Sequence, residues 1–464
     1  MGRSRIYNFN QYITFFPDLQ EIFTGLGKRT KSGCIFFIAQ DVTAVLDFRW
    51  FPCYTEWKTD KGVLVMKRFR YMTLCLTLAA SMLTGCGGGG NSSAVQTTKA
   101  PETAEEFRAA MVSRSLLSVG NTTRIRAVME QAKAGGEVTL AYIGGSITEG
   151  YNAGETGCYA RKSYEAFASR YGAGDNVQYV NAGLSGTPSV LGVLRAEEEV
   201  YQYAPDVIFI EFAVNDAQDE AHRTAYESLV WDCLSQPQSP AVVLLFTVLD
   251  NGYTCQEQMA AIGAHYDLPM ISVGDAINPE LAAGRMVWSD YASDGSHPHT
   301  EGHLLITEFI ENYLTAAEQT DPTAESLPRE PLSSRADAGA KILSWSDLAV
   351  ETGSFDQGTS NGRFPLGYTF RADGTTEALA FTVTGTRLYL TFKQCNNKDW
   401  GMMGVYVNGH FVDYLAGNDK NGWGGPSTKL VYESKEAVEM HVEIRPLEEQ
   451  ENLKFELLAV ALNE

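Results

Sequence analysis

Four short blocks of the sequence carry side chains that could perform nucleophilic chemistry together. The first block reads IGGSITEG, so that Ser146 follows two glycines at the end of an apolar run. A serine in this position can present its hydroxyl at the edge of a sheet, and its backbone N–H can donate to a developing oxyanion. An ordinary helix cap explains the same block, because serine is a preferred N-cap residue. The lysine of a phosphate-binding loop is missing.

Two further blocks supply glycine and asparagine. The block NAGLSGT contains Gly186, and a glycine allows the backbone to approach a substrate and to direct an N–H at it. The block EFAVND closes an apolar run and contains Asn215, whose side-chain amide could be another oxyanion donor. Either block alone is equally typical of a turn.

The fourth block, DGSHP, places a carboxylate three residues before a histidine. Asp294 can accept a hydrogen bond from one imidazole nitrogen of His297, which leaves the other nitrogen free to take the proton of Ser146. Two more histidines follow closely and raise the alternative of a metal site. A loop position for His299 and a helix-surface position for His303 explain them more simply, so we expect neither a metal nor a cofactor.

To act together, these blocks must lie at the strand ends of one sheet. Between residues 137 and 314, short apolar runs alternate with helical segments, and Ala241–Val248 is the clearest strand. This alternation is typical of a parallel sheet covered by helices on both faces, whose active site lies at the carboxyl ends of the strands. Residues 104–134 are predicted to be helical.

The chain changes character after a linker at residues 318–340, which is rich in proline, serine and charge. From residue 341 to residue 464, strand-like runs recur roughly every ten residues. Asn408-Gly409 between two such runs is a strong hairpin signal. We therefore predict an all-β sandwich, similar to a jelly roll, for this second domain.

Taken together, the four blocks resemble the SGNH (GDSL-type) serine hydrolase family over residues 104–317. The resemblance implies a flavodoxin-like three-layer α/β/α fold. Two departures from the family pattern stand out: the first block has GGSIT in place of GDSL, and Ala213 replaces a usual glycine. The roles that the resemblance implies are nucleophile for Ser146, base for His297, orienting partner for Asp294, and oxyanion donors for the N–H groups of Ser146 and Gly186 and the side chain of Asn215.

The expected activity is that of an exported serine esterase that removes short acyl groups, above all acetyl, from a polysaccharide. All-β domains often accompany carbohydrate-active enzymes, and Trp288 and Tyr291 before the last block are predicted to bind sugar. Trp400 and Trp423 are further candidates for stacking on sugar, although core packing explains each of these aromatics nearly as well. The alternatives are an O-acyltransferase that modifies cell-envelope polysaccharide, a lipase-like acyl hydrolase, and a surface binding protein without activity.

The net charge of the chain limits the classes of polymer that it can bind. The formal net charge of −21 makes nucleic acid an unsuitable partner and disfavours anionic polymers. A neutral acetylated hemicellulose therefore ranks first among carbohydrate substrates.

Residues 66–103 have the pattern of an export signal followed by a tether. Met66 opens a basic stretch, an apolar run follows, and residues 83–86 read LTGC, which looks like a bacterial lipobox. We expect residues 66–85 to be a lipoprotein signal peptide, Cys86 to carry the lipid, and residues 86–103 to be a flexible tether. Residues 1–65 are then an over-extended start, or else a cytoplasmic extension before an uncleaved anchor. The predicted location is extracytoplasmic, lipid-anchored at the cell surface or outer membrane.

Four cysteines remain in the predicted mature chain after the lipidated one. They allow three disulfide pairings, and the sequence does not choose among them; it also leaves the oligomeric state open. These cysteines are Cys158, Cys233, Cys255 and Cys395.

Overall fold

The structure, a computed structural model, describes residues 103–464. The predictions for the signal peptide, for Cys86 and for nearly all of the tether lie outside the described residues. Within residues 103–464, no helix combines the length and the apolar character needed to cross a bilayer.

The first domain is built on a six-stranded sheet in the order β1-β6-β5-β4-β2-β3. Strands β2 to β6 are parallel, and only β1 runs antiparallel to its neighbour β6. The strands are β1 (Leu116–Ser118), β2 (Val138–Gly144), β3 (Val177–Gly183), β4 (Val207–Glu211), β5 (Ala241–Phe246) and β6 (Met270–Ser272). The chain passes from β2 to β3 on one side and then to β4 on the other, so the crevice at this reversal is the expected ligand site of such a sheet.

Nine helices surround this sheet in the described chain. They are α1 (Ala104–Arg114), α2 (Thr123–Lys133), α3 (Ser146–Glu149), α4 (Tyr159–Tyr171), α5 (Ser189–Glu199), α6 (Glu220–Leu234), α7 (Gln256–His265), α8 (Val273–Ala282) and α9 (Thr300–Gln319).

Alternation along the strands sorts the core into two apolar clusters, one on each face of the sheet. Tyr142 and Phe209 point to the face covered by α1, α2, α4, α8 and α9, and their rings stack 4.7 Å apart. Ile143 and Ile210 point to the face covered by α5, α6 and α7. The three-layer α/β/α prediction is confirmed.

Residues 104–134 are mostly helical, as predicted, but Leu116 and Leu117 are not. Helix α1 ends at Arg114, and Leu116 lies in the short edge strand β1, opposite Ile271 of β6. The backbone N–H of Ser272 donates to the carbonyl of Ser115, and this pairing to the sheet interrupts the helix.

The second domain, called the β-domain from here on, is antiparallel and all-β, as predicted. Its eight strands form one hydrogen-bonded sheet: β7 (Lys341–Ile342), β8 (Phe355–Gln357), β9 (Tyr368–Phe370), β10 (Leu379–Cys395), β11 (Met402–Val407), β12 (His410–Ala416), β13 (Trp423–Pro446) and β14 (Glu456–Asn463). The long strands β10 and β13 pair along most of their length, with a bulge after Gly385. Side chains from both halves of these strands meet in one apolar core, so the sheet folds over itself as a sandwich does.

The segment between the two domains is held in place by the first domain, called the α/β domain from here on. The carboxylate of Glu227 on α6 accepts the backbone N–H groups of Leu332, Ser333 and Ser334. The guanidinium of Arg335 lies 3.6 Å from the centre of the Trp231 ring. Cation–π contact and three charge-assisted hydrogen bonds fix this connection, which the sequence indicated only as a linker.

The four cysteines Cys158, Cys233, Cys255 and Cys395 are all unpaired, and the first three are buried. No disulfide therefore links the described elements in this structure.

Candidate active site

Ser146, His297 and Asp294 form a hydrogen-bonded relay at the carboxyl end of β2. Ser146 is the first residue of α3, and its Oγ lies 3.0 Å from Nε2 of His297. Nδ1 of His297 lies 2.9 Å from Oδ2 and 3.1 Å from Oδ1 of Asp294. Only 8% of the serine surface is exposed. The arrangement is that of a nucleophile, a base and a group that orients the base.

The loop between α8 and α9 holds Asp294 in its ionised form. Its Oδ1 accepts the backbone N–H groups of Ser296 and His297, each at 2.8 Å. Partial burial alone would raise the pKa of this carboxyl, but these donors and the His297 ring outweigh it and hold the pKa at about 2. Trp288 adds support, because its indole N–H donates to the carbonyl oxygen of Asp294 at 2.6 Å.

Asn215 lies directly beside the backbone that precedes the serine. A Cβ atom at position 145 would be 2.2 Å from Oδ1 of Asn215, so only glycine fits there while the amide keeps its place. Asn215 Oδ1 is buried without a hydrogen-bond partner in the structure.

Gly186 occupies the loop after β3 with a φ of +66°, which favours glycine. The loop is tied to the serine segment, because Glu149 of α3 accepts both the backbone N–H and the hydroxyl of Ser185. The backbone N–H of Leu184 also donates to the carbonyl oxygen of Gly144 at 3.0 Å. The glycine and asparagine blocks thus both adjoin the serine block, as the strand order requires.

A buried carboxylate lies below the serine, and the sequence motifs did not single it out. Glu211 at the end of β4 is fully buried and accepts hydrogen bonds from the hydroxyls of Thr148 and Thr247 and from the backbone N–H of Gly145. Burial raises the pKa of Glu211 despite these donors. The one acidic residue in the otherwise apolar strand VIFIE was the available signal, because an isolated buried charge needs partners.

Two exposed aromatic side chains lie next to residues of the candidate site. Tyr151 is 52% exposed, and its ring lies 4.4 Å from the His297 ring. Trp423, the first residue of β13, is 59% exposed and lies against Gly186: a Cβ at position 186 would be 2.6 Å from three atoms of the indole. The β-domain therefore contributes directly to this site.

The aromatic residues that the sequence suggested as sugar-binding differ in how far they are buried. Tyr291 is fully buried and packs edge-on against Trp288, so the prediction that it contacts sugar is wrong. Trp288 is partly buried and uses its N–H on Asp294; its binding of sugar stays a prediction. Trp400 is buried too, with the Lys393 ammonium 4.9 Å above its ring, which excludes it as an exposed platform.

The three neighbouring histidines take separate positions. His299 caps α9, where its Nδ1 accepts the backbone N–H of Gly302. His303 is fully buried, not on the helix surface as predicted, and its Nδ1 accepts the backbone N–H of Tyr159 at 3.1 Å. Burial lowers the pKa of His303 to about 4. Among the described residues, no three histidine, cysteine, aspartate or glutamate side chains come together as metal ligands.

Comparison with known proteins agrees with the geometry. The sequence model of the GDSL-like lipase/acylhydrolase family matches residues 142–305, the stretch that contains the serine, asparagine and histidine blocks. Residues 142–305 are a GDSL-like lipase/acylhydrolase domain, and the chain is a carboxylic ester hydrolase of the SGNH type. No curated protein matches the chain.

Two solved structures are similar over both domains. One is a two-domain esterase active on acetylated mannans, co-crystallised with mannopentaose; it is 28% identical, with a TM-score of 0.67 over 76% of this chain and 97% of that chain. The same esterase without the oligosaccharide is also 28% identical, with a TM-score of 0.68 over 76% of this chain and 98% of that one.

Proposed function

We propose that this hydrolase removes acetyl groups from a neutral polysaccharide, with an acetylated mannan as the first candidate. The observation that carries the proposal is the Ser146–His297–Asp294 relay, together with an exposed tryptophan of the β-domain beside Gly186. Similarity to an esterase active on acetylated mannans, extending over both domains, supports this substrate class.

The reaction follows the geometry of the relay. His297 Nε2 takes the Ser146 proton while Oγ attacks the ester carbonyl, and the negative charge that forms on the carbonyl oxygen is met by N–H donors. The donors are the backbone N–H groups of Ser146 and Gly186 and the amide of Asn215. His297 then returns the proton to the departing sugar hydroxyl, and water, activated by the same base, releases acetate from the serine.

Asp294 serves this cycle as a carboxylate throughout. With a pKa of about 2 it stays ionised in the pH range in which esterases work, so it fixes the imidazole tautomer and stabilises the imidazolium. Loss of activity at moderately acid pH therefore does not arise from protonation of Asp294.

The surroundings of the serine favour a sugar ester over a fatty-acyl ester. Tyr151 presents an exposed ring beside His297 and Trp423 presents one beside Gly186, and aromatic faces stack well on the C–H faces of sugars. The net charge of −21 disfavours an acidic polymer as the substrate.

The test compares substrates on the full chain. Acetate release is measured from acetylated mannan and from acetylated xylan, beside the rates on acetyl, butyryl and octanoyl aryl esters. We expect acetate from the mannan, a preference for the acetyl ester, and no activity in Ser146→Ala. A preference for octanoyl would make the protein a lipase-like hydrolase, and transfer of acetyl to an added oligosaccharide would make it an acyltransferase.

The location at the membrane is a second proposal and rests on the sequence. Expression from Met66 in a bacterial host should yield protein in the membrane fraction, with Cys86 at the mature N-terminus and lipid attached. Mass spectrometry that finds Cys86 unmodified inside an intact longer chain would contradict it.

A further inference from the structure

The β-domain is packed against the helices that stand behind the site. Tyr389 of β10 and Ala461 of β14 belong to the same apolar cluster as side chains of α5 and α6, including Leu194 and Leu229. The β-domain therefore rests on α5, the helix that follows the Gly186 loop. Such a contact can transmit a displacement, because packed interiors are stiff.

Arg195 of α5 braces the two strand ends that lead into the site. Its guanidinium is fully buried and donates from Nη2 to the carbonyl oxygen of Gly144 at 3.0 Å, and from Nη1 to that of Ala182 at 2.5 Å. Gly144 is the last residue of β2, two positions before Ser146. Ala182 lies at the end of β3, just before the loop that carries Gly186.

Arg195 depends on a carboxylate that the β-domain also binds. Burial lowers the pKa of Arg195, and Glu199, one turn further along α5, compensates for its charge through an ion pair with Nη1. The same carboxylate receives Arg363 of the β-domain, whose Nε lies 3.1 Å from Oε1 and whose Nη2 lies 2.6 Å from Oε2. Glu199 thus joins one arginine under the site to one arginine of the other domain.

The loop that presents Arg363 is itself ordered. Between β8 and β9, the backbone N–H of Arg363 donates to Oδ1 of Asn361, and the hydroxyl of Thr359 donates to the carbonyl oxygen of Phe364 at 2.6 Å. A planar guanidinium that holds a carboxylate with two N–H groups defines direction as well as charge.

We propose that Arg363 is a positioning residue for the hydrolase. It acts through Glu199 and Arg195 on the backbone at Gly144 and Ala182, which leads to Ser146 and to the Gly186 loop. By this account the β-domain sets the geometry of the reacting groups in addition to any contact with polymer. The inference rests on the proposed Ser-His-Asp mechanism. Without Arg363, the outer side of Glu199 would be free to turn toward water, and the hydrogen bonds of Arg195 to Gly144 and Ala182 would loosen.

The kinetic signature of such a role is specific. Misplaced reacting groups lower kcat even on a small substrate that never touches the β-domain, and they leave KM for that substrate nearly unchanged. An arginine that merely held the two domains together would affect the melting temperature and leave kcat alone. An arginine that bound polymer would affect only KM for the polymer.

The experiment uses the full chain with an aryl acetate as substrate. Arg363→Gln is compared with Arg371→Gln, a matched change of an arginine that pairs with Asp356 inside the β-domain. We expect roughly 3- to 30-fold lower kcat in Arg363→Gln with KM within about twofold, a smaller loss in Arg363→Lys, and wild-type values in Arg371→Gln.

A second variant tests whether Arg363 acts through Glu199 and not by another route. Glu199→Gln should reproduce the loss of kcat, and the double variant with Arg363→Gln should lose less than the product of the two single losses, because both act through one contact. Wild-type kcat in Arg363→Gln, or multiplicative losses in the double variant, would overturn the inference. An inactive wild-type protein would instead refute the proposed function, so the two failures are distinguishable.

Discussion

The α/β domain and the β-domain both reach the site, but with different kinds of residues. Ser146, His297 and Asp294 come from the α/β domain, and hydrogen bonds within that domain hold them. The β-domain brings Trp423, an exposed ring beside Gly186, and Arg363, a cation behind the strand ends. Neither of these two can take part in proton transfer or attack at the ester. The α/β domain therefore supplies the groups that react, and the β-domain supplies groups that bind the substrate or position the reacting groups. Substitutions in the two domains should change kcat and KM differently.

The largest effect is expected for loss of the base. His297→Ala should lower kcat by about 10⁴–10⁶, because it removes the base whose Nε2 lies 3.0 Å from the Ser146 hydroxyl. The loss should be equal on an aryl acetate and on acetylated polymer, since both use the same relay. Steady-state rates on the two substrates check this, and a variant inactive on polymer alone would place His297 in substrate binding instead.

The next effect concerns the packing of Asn215 against the serine segment. Gly145→Ala should lower kcat by about 10²–10³, because the added methyl would lie 2.2 Å from Oδ1 of Asn215 and displace the amide from the oxyanion. Gly274→Ala is the control, since a Cβ there meets its nearest neighbour at an ordinary 3.5 Å. Asn215→Ala should give a similar loss, and combining it with Gly145→Ala should add little. Full activity in Gly145→Ala would contradict the oxyanion role of Asn215.

A third prediction tests stability in the α/β domain apart from its chemistry. His303 has a folded-state pKa of about 4, below the ~6.5 of an unfolded histidine, so the unfolded chain binds the proton first as pH falls. This group alone should cost about 2 kcal/mol of unfolding free energy between pH 7 and pH 5. Asp216 and Asp232, whose pKa values burial raises to about 7, act in the opposite direction over this range.

The contribution of His303 is therefore measured by comparing the pH dependence of the unfolding free energy in the wild type and in a His303 variant. His303→Asn keeps an acceptor near the position of Nδ1 for the Tyr159 N–H but cannot be protonated, so its unfolding free energy should fall less from pH 7 to pH 5 than that of the wild type. Denaturant unfolding at the two pH values measures the difference. Equal pH dependence in both proteins would mean that His303 is not held neutral in the folded state.

The smallest effect is expected when Trp423 of the β-domain is replaced. Trp423→Ala should raise KM for acetylated mannan about tenfold through loss of one stacking contact. Phe411→Ala removes a similarly exposed aromatic from β12 and should change nothing, because the contact of the Phe411 ring is with Tyr406 of β11. Equal effects of the two changes would make the β-domain a general surface for polymer and not a part of this site.

The reacting groups were predictable because a parallel sheet gathers its strand ends at one edge. Ser146 and Asn215 stand after β2 and β4, which are neighbours in the sheet, and the local spacing of Asp294 and His297 allows their contact directly. The strands of the β-domain could also be predicted, from the recurring strand-like runs and from the Asn408-Gly409 turn.

The contacts between the domains were not predictable from the sequence. Nothing local to Arg363 indicates that it meets Glu199, and the position of Trp423 against Gly186 depends on how two folded domains pack. Tyr291 failed as a sugar-binding residue for a related reason: an aromatic before a functional loop is as suitable for the core as for a ligand, and here it packs under Trp288.

The most direct test of the account is covalent capture of the nucleophile. A fluorophosphonate, which reacts with activated serines, is incubated with the full chain, and the adduct is located by intact mass and peptide mapping. The account predicts one adduct per chain, on Ser146, with esterase activity lost in step and labelling abolished in Ser146→Ala. An adduct on a different serine, or esterase activity that persists in Ser146→Ala, would contradict it.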